Sequence, residues 1–182
     1  MFNGLFSKKS FGLLMLALIV LALFPQFLPR FYIYLLAVIL VAGLLATSLN
    51  VVLGFGGMFQ FHHGVFYGFG AYTAALVVTK AGLSYWLGFT AAPLTAALLG
   101  LVMGIICIRL SKLYFGMLQI SLGSLVWVVV FRWYDLTGGD DGIHGIPLPD
   151  IIYSTTGGYY FILAVTSVCL LVMFLIACSP FG

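Results

Sequence analysis

The chain has 182 residues, 64% hydrophobic, 16% aromatic and 6% charged, with seven Lys or Arg against four acids and a net charge of +3. A soluble domain of this length would carry about 45 charged side chains, so the surface of a water-soluble globule is missing. A mean hydropathy of +1.24 makes lipid the working solvent, and the small, dispersed positive charge excludes a nucleic-acid partner.

Charge at mid-membrane is expensive and a span needs about 20 apolar residues, so charged residues punctuate the chain. The run from Phe11 to about Leu28, between Lys9 and Arg30, predicts a first crossing. Lys8 and Lys9 ahead of an apolar core also suit a secretory signal, but Phe24, Pro25 and Gln26 stand where a small-residue cleavage site belongs, so the helix is retained. From Phe31 to Thr79 there is no Lys, Arg, Asp or Glu. That length fits two helices, Phe31 to Leu53 and a second ending near Thr79, joined through a Gly/His-rich segment. Tyr85 to Ile108, Leu113 to Phe131 and Tyr159 to Ala177 complete six crossings. The fold expected is an all-α polytopic transmembrane helix bundle of about six membrane-spanning helices, a single transmembrane domain over 1–182 with one interrupted segment.

Residues 134–158 hold all four acids (Asp135, Asp140, Asp141, Asp150) with Gly138, Gly139, Gly142, Gly145, Pro147 and Pro149, which predicts a solvated, extracytoplasmic loop. With the N-terminus inside, Lys8, Lys9, Arg109 and Lys112 are cytoplasmic and Arg30, Lys80 and Arg132 are outside, which favours a cytoplasmic N-terminus by one charge.

Helices in lipid associate through small residues that let backbones approach. Ala92, Ala96, Gly100 and Gly104 recur every four residues on one predicted helix, and Gly64 and Gly68, with Ala71, Tyr72 and Ala75, do so on another. Ordinary packing within the bundle and contact with a second subunit both fit these stripes.

Irregular backbone at membrane depth is tolerated only where protein or a water-filled cavity satisfies its polar groups. The segment from Asn50 to Gly70 therefore reads either as a plain hairpin of glycine turns or as the lining of a transport route, where a broken helix presents its end to a solute. The polar side chains for such a substrate pathway are Asn50, Gln60, His62, His63 and Tyr72, joined by Gln119 and Ser121 on the fifth predicted helix, where Ser124 also interrupts the apolar face. On that helix, hydrogen bonds between helices are the competing use.

No metal or other cofactor is expected. Adjacent His62 and His63 cannot point the same way on a helix or strand. Asp140, Asp141 and His144 lack the later acid of a calcium loop and are expected to be solvated turn residues. Cys107, Cys169 and Cys178 are odd in number, show no CxxC spacing and read as small packed thiols. The chain has no P-loop, no G-x-S-x-G and no H-E-x-x-H. The sparse acids exclude scattered carboxylate pairs, and no nucleophile with a base within reach is visible. The reading is therefore a transport subunit rather than an enzyme.

Four stretches together carry a family resemblance: SLNVVLGFGGMFQFHHGVFYGFGAYTAALV (Ser48 to Val77), LYFGMLQISLG (Leu113 to Gly123), LTGGDDGIHGIPLP (Leu136 to Pro149) and SPFG (Ser179 to Gly182). In order and spacing they resemble the permease subunits of branched-chain amino acid ABC importers, of the LivM type. The resemblance implies an inner-membrane importer in which a second homologous permease subunit completes the path. Two cytoplasmic ATPase subunits would drive it, and a periplasmic substrate-binding protein would deliver leucine-like amino acids or small amides. It also implies that Asn50, Gly54, Gly57, His63, Gly68, Gly70 and Tyr72 belong to the family's Gly/His segment, and Gly138 and Gly139 to its outer loop. This chain has Gln60 and His62 where relatives usually carry serine and a small residue, and Ser124 where an acid is common. Relatives continue past SPFG with a basic segment and further helices, so a C-terminally truncated chain is expected here. The competing function is a non-transporting membrane scaffold or assembly subunit, which would use the same glycine faces but need no polar lining.

Overall fold

The computed structural model describes residues 20–179, apart from 59 and 111. Every regular element among them is helical, because in lipid a segment must satisfy its own backbone groups. After a 3-10 turn at Phe24–Gln26 come α1 (Arg30–Asn50), extended by a π-helical turn at Val51–Phe55, then α2 (His63–Thr79), α3 (Tyr85–Cys107) and α4 (Lys112–Arg132). Two single turns, α5 (Tyr134–Thr137) and α6 (Asp150–Tyr153), precede α7 (Thr155–Cys178).

Four described stretches are long and apolar enough to cross a bilayer: Arg30–Gly54, Tyr85–Cys107, Tyr114–Arg132 and Thr155–Ala177. They coincide with four of the predicted crossings. At 17 residues, α2 is about 26 Å long, a little under the hydrocarbon core of ~30 Å. It corresponds to the expected crossing that follows the Gly/His segment. Residues 11–19, most of the first predicted crossing, lie outside the described residues.

The helices form two compact units. The first contains α1 as far as Leu44 and α7 as far as Leu171. Its core is Ile33, Ala37 and Tyr159, with Leu36, Leu40, Ile162 and Leu163 packed around them. Tyr159, 1% exposed, donates its hydroxyl hydrogen to the Leu21 carbonyl at 2.8 Å, and Tyr160 donates to the Ala22 carbonyl at 3.0 Å. Pro25 explains the need. It has no N–H to return to the carbonyl four residues before it, so the helix leading into it breaks and exposes acceptors.

The second unit contains the end of α1, the π-helical turn, α2 to α5 and the end of α7. Its central contact is α2 against α3. A Cβ placed on Gly70 would lie 3.4 Å from the Ala92 carbonyl and 3.7 Å from the Ala96 methyl, and one on Gly88 only 3.0 Å from the Ala74 carbonyl. Thr95 adds an interhelical bond to Thr73 at 3.1 Å. Gly100 faces the Phe66 ring, whereas Gly64, Gly68 and Gly104 have nothing within 4 Å of where a Cβ would be. The closest backbone approach therefore runs through Gly70 and Gly88.

At the far end of α2 the loop after α4 folds back on the unit. Lys80 donates to the Asp135 carbonyl. Buried Thr137 donates to the Val130 and Trp133 carbonyls, at 2.5 and 2.9 Å, and accepts from the Gly139 amide. Gly138, Gly139, Gly142 and Gly145 all take positive φ, which allows four reversals in eight residues. Asp140, Asp141 and His144 are exposed, while Ile146 and Leu148 reach into the groove between α2 and α3.

Candidate functional site

The α-helical path of α1 is lost beyond Asn50. Hydrogen bonds from Gly56, Gly57 and Met58 return to the carbonyls of Val51, Leu53 and Val52, so the helix widens into a π turn and stops. Gly56 has no room for a side chain, since a Cβ would sit 2.6 Å from the Val52 carbonyl oxygen. Gly57 has φ +61°, a left-handed turn that suits glycine. The next regular element among the described residues is α2, which begins at His63.

Three side chains tie the two ends of this break together. Ser48 Oγ lies 2.6 Å from His63 Nε2, and His63 Nδ1 lies 3.1 Å from Gln60 Oε1. Ser48 also lies 2.8 Å from the Leu45 carbonyl, to which it donates its one hydrogen. His63 Nε2–H must then donate to Ser48 Oγ, and with Nδ1–H donating to Gln60 both ring nitrogens are engaged. Rotation of the Gln60 amide, so that its NH₂ donates to Nδ1, gives the equivalent network with a neutral ring. The Ser48–His63 proximity resembles a nucleophile with its base, but the Ser48 hydrogen points to Leu45 and the third member is an amide. It works as a latch across the break. Sequence spacing does not reveal Ser48 as a member, because the two residues meet only after the chain reverses.

The other histidine has a different environment. A Cβ on Gly123 would fall 2.5 Å from His62 Cγ, so the imidazole lies directly against the α4 backbone. Phe61 makes the same kind of contact one heptad earlier, where a Cβ on Gly116 would be 3.1 Å from the Phe61 ring. Gly116, Gln119 and Gly123 share one face of α4, and the Phe61–His62 pair docks on it. His62 Nδ1 and Gln119 Oε1 are buried and have no hydrogen-bond partner. The seven-residue spacing of Gly116 and Gly123 was the available signal for this docking face.

Beside this contact, α2 and α4 line an open cleft of about 520 Å³. His62, Tyr72 and Ser124 supply its polar side chains, and Phe61, Phe69 and Trp127 much of its apolar wall. Gly64 and Gly68 line it too, and their missing side chains leave it open. Of the residues singled out from sequence, the structure brings Gln60 and His63 together at the latch, and His62 and Tyr72 together in the cleft. Ser124, read from sequence as interrupting the same apolar helix face, also lines the cleft, and Ser48 and Trp127 are additions. Asn50 is exposed at the end of α1, and Ser121 is exposed and bonded to the Met117 carbonyl on its own helix.

Comparison with known proteins extends this picture. Residues 31–182 match the model of a family described as the permease component of the branched-chain amino acid transport system. The chain belongs to this branched-chain amino acid permease family. It is 33% identical over 140 residues to the high-affinity branched-chain amino acid transport system permease protein LivM of Escherichia coli strain K12, covering 76% of this chain and 33% of that protein. Identity to the LivM protein of Salmonella typhimurium strain LT2 is 31% over 140 residues, with the same coverage. The chain thus spans about a third of the length of the curated relatives it matches. No solved structure matches it. For this permease-family chain, the matched region contains the latch, the α4 docking face and the cleft.

Proposed function

We propose that the chain is part of the membrane-spanning permease subunit of an ABC importer that carries branched-chain amino acids, or similar small polar solutes such as amides or urea, across the inner membrane. ATP hydrolysis belongs to two separate cytoplasmic subunits, a second homologous permease completes the path, and a periplasmic binding protein delivers the solute. The N-terminus is cytoplasmic and the loop over 134–158 faces the other side.

The observation that carries this reading is the break between Asn50 and His63. An apolar helix is interrupted beside a cleft to which His62, Tyr72 and Ser124 bring polar side chains, and the interruption is held by Ser48, Gln60 and His63. Irregular backbone among membrane helices belongs where it lines a cavity. A non-transporting scaffold would have no use for three polar side chains in a cleft otherwise walled by aromatic and aliphatic groups.

Uptake of labelled leucine and of urea by the full-length subunit, reconstituted with its partner subunits, tests the proposal. His63→Ala and Gln60→Ala, which free the break, are expected to reduce uptake by about tenfold or more. Unchanged uptake in both variants would remove the Gly/His segment from the route.

A further inference from the structure

We infer that one end of the first compact unit is a docking surface for phospholipid headgroups, in which Phe27, Ile151 and Tyr153, with Arg30, seat the single turn α6 and the start of α1 in the interfacial layer of the bilayer.

Phe27, Tyr153 and Ile151, at 84%, 80% and 73% exposure, are the three most exposed large apolar side chains among the described residues. All three belong to the first unit. Phe27 lies between the 3-10 turn and α1, and Ile151 and Tyr153 lie in α6, just ahead of α7. Ile33 and Tyr159, in the opening turns of α1 and α7, share one core, so the two long helices begin at the same end, and the bond from Tyr159 brings Leu21 to that level. The exposed side chains change in kind from this end onward. Here they are mainly aromatic, with Phe31, Tyr34 and Tyr160 joining Phe27 and Tyr153; beyond it they are aliphatic, Leu35, Val38 and Ile39 on α1 and Val168 and Leu171 on α7. Water around so much apolar surface is costly, and hydrocarbon alone does not sort rings from alkyl groups by depth. The headgroup layer does, because aromatic side chains collect there while aliphatic ones fill the core. Charge falls at the same boundary. Arg30 and Asp150 are both exposed, and no charged residue follows from Phe31 to Leu44 or from Ile151 to Leu171. Arg30 can lay its stem along apolar surface and hold its guanidinium at lipid phosphate. The last turn of the acidic loop, for which composition predicts full solvation, thereby rests on the membrane.

Spin-label depth measurement tests this surface. Phe27→Cys, Tyr153→Cys, Val38→Cys and Asp140→Cys are made singly in the full-length subunit with its native cysteines replaced by alanine, and each is assembled with its partners in vesicles of phosphatidylethanolamine and phosphatidylglycerol and labelled with a nitroxide. Val38→Cys is the hydrocarbon reference and Asp140→Cys the water reference. Collisions with oxygen, which concentrates in hydrocarbon, and with a neutral nickel chelate, which stays in water, give the depth of each label. The labels at Phe27→Cys and Tyr153→Cys are expected to meet the chelate about threefold less often than that at Asp140→Cys and about threefold more often than that at Val38→Cys, the rank of an interfacial position. The latch and the α2–α4 cleft lie in the other unit, so no outcome bears on the transport route. Either label matching Asp140→Cys would place the surface in water and overturn the docking. Either matching Val38→Cys would place it in hydrocarbon and overturn the headgroup level. Few collisions with both reagents would show a protein cover and overturn lipid as the occupant.

Discussion

The imidazole of His62 lies against the bare Cα of Gly123, so close that no β-carbon fits between them. Substituting Gly123 by alanine must therefore move either the ring or α4. Overpacking of this kind costs about 1–3 kcal/mol, and the displaced element would be the entry to α2. Gly116→Ala meets the Phe61 ring at 3.1 Å, a contact that a small ring shift relieves. The expected order of thermal stability in detergent is wild type, then Gly116→Ala, then Gly123→Ala. His62→Ala in the Gly123→Ala background should restore much of the loss, and a double variant no more stable than Gly123→Ala would contradict the contact.

Ser48 is expected to matter more than its size suggests. Ser48→Ala leaves His63 Nε2 without a partner across the break and frees the Leu45 carbonyl of its extra donor. An unmade bond to a part-buried group costs about 1–3 kcal/mol. Ser48→Thr retains the hydroxyl and should stay close to wild type. Thermal melts of the two variants, compared with Ser121→Ala as an exposed control, check this. Equal losses for Ser48→Ala and Ser121→Ala would mean that the latch carries no load.

Helix identity was legible because lipid leaves few alternatives: uncharged runs of the right length mark α1, α3, α4 and α7, and charged or glycine-rich breaks bound them. Faces were less legible. The four-residue stripe through Gly64 and Gly68 marks residues that line a cleft, while the closest contact runs through Gly70 and Gly88, because small residues occur on several sides of α2 and spacing alone does not say which side meets a neighbour. Adjacency in sequence likewise says that His62 and His63 point apart, but not that one is saturated by Ser48 and Gln60 while the other rests on Gly123. Those assignments depend on a chain reversal between Gly56 and His63 that no local pattern encodes.

Pro25 gives a separate prediction for the first compact unit. Tyr159 is buried and its hydroxyl supplies the Leu21 carbonyl, the acceptor that Pro25 leaves without its α-helical donor. Tyr159→Phe keeps the ring packed on Ile33 and Ala37 but removes that hydrogen, at a cost of about 1–3 kcal/mol. Pro25→Ala restores an N–H at that position. In the Pro25→Ala background the Tyr159→Phe loss should shrink, and a double-mutant cycle in the full-length protein measures the coupling. Strict additivity would show that the hydroxyl and the proline act independently.

The loop after α4 provides a pH test with a defined sign. Tyr134 donates to the Asp141 carboxylate, and that hydrogen bond, followed by the charge of Asp141, holds its phenol above the ordinary value of about 10. The proton is retained in the folded loop beyond the pH at which a free tyrosine would lose it. Whatever order the bond gives the loop is thus intact below about pH 10 and is lost as pH rises past the elevated value. The phenolate absorbance of wild type minus that of Tyr134→Phe isolates this residue from the other tyrosines, and its midpoint should lie above that of a free tyrosine. Asp141→Asn removes the charge and weakens the acceptor, so the midpoint should fall toward the ordinary value. A midpoint unmoved by Asp141→Asn would mean that the carboxylate does not hold the phenol. Because the Thr137 bonds to the Val130 and Trp133 carbonyls involve no titrating group, the hinge of the loop at the end of α4 should stay closed over the same pH range, with only the tip beyond Gly139 released.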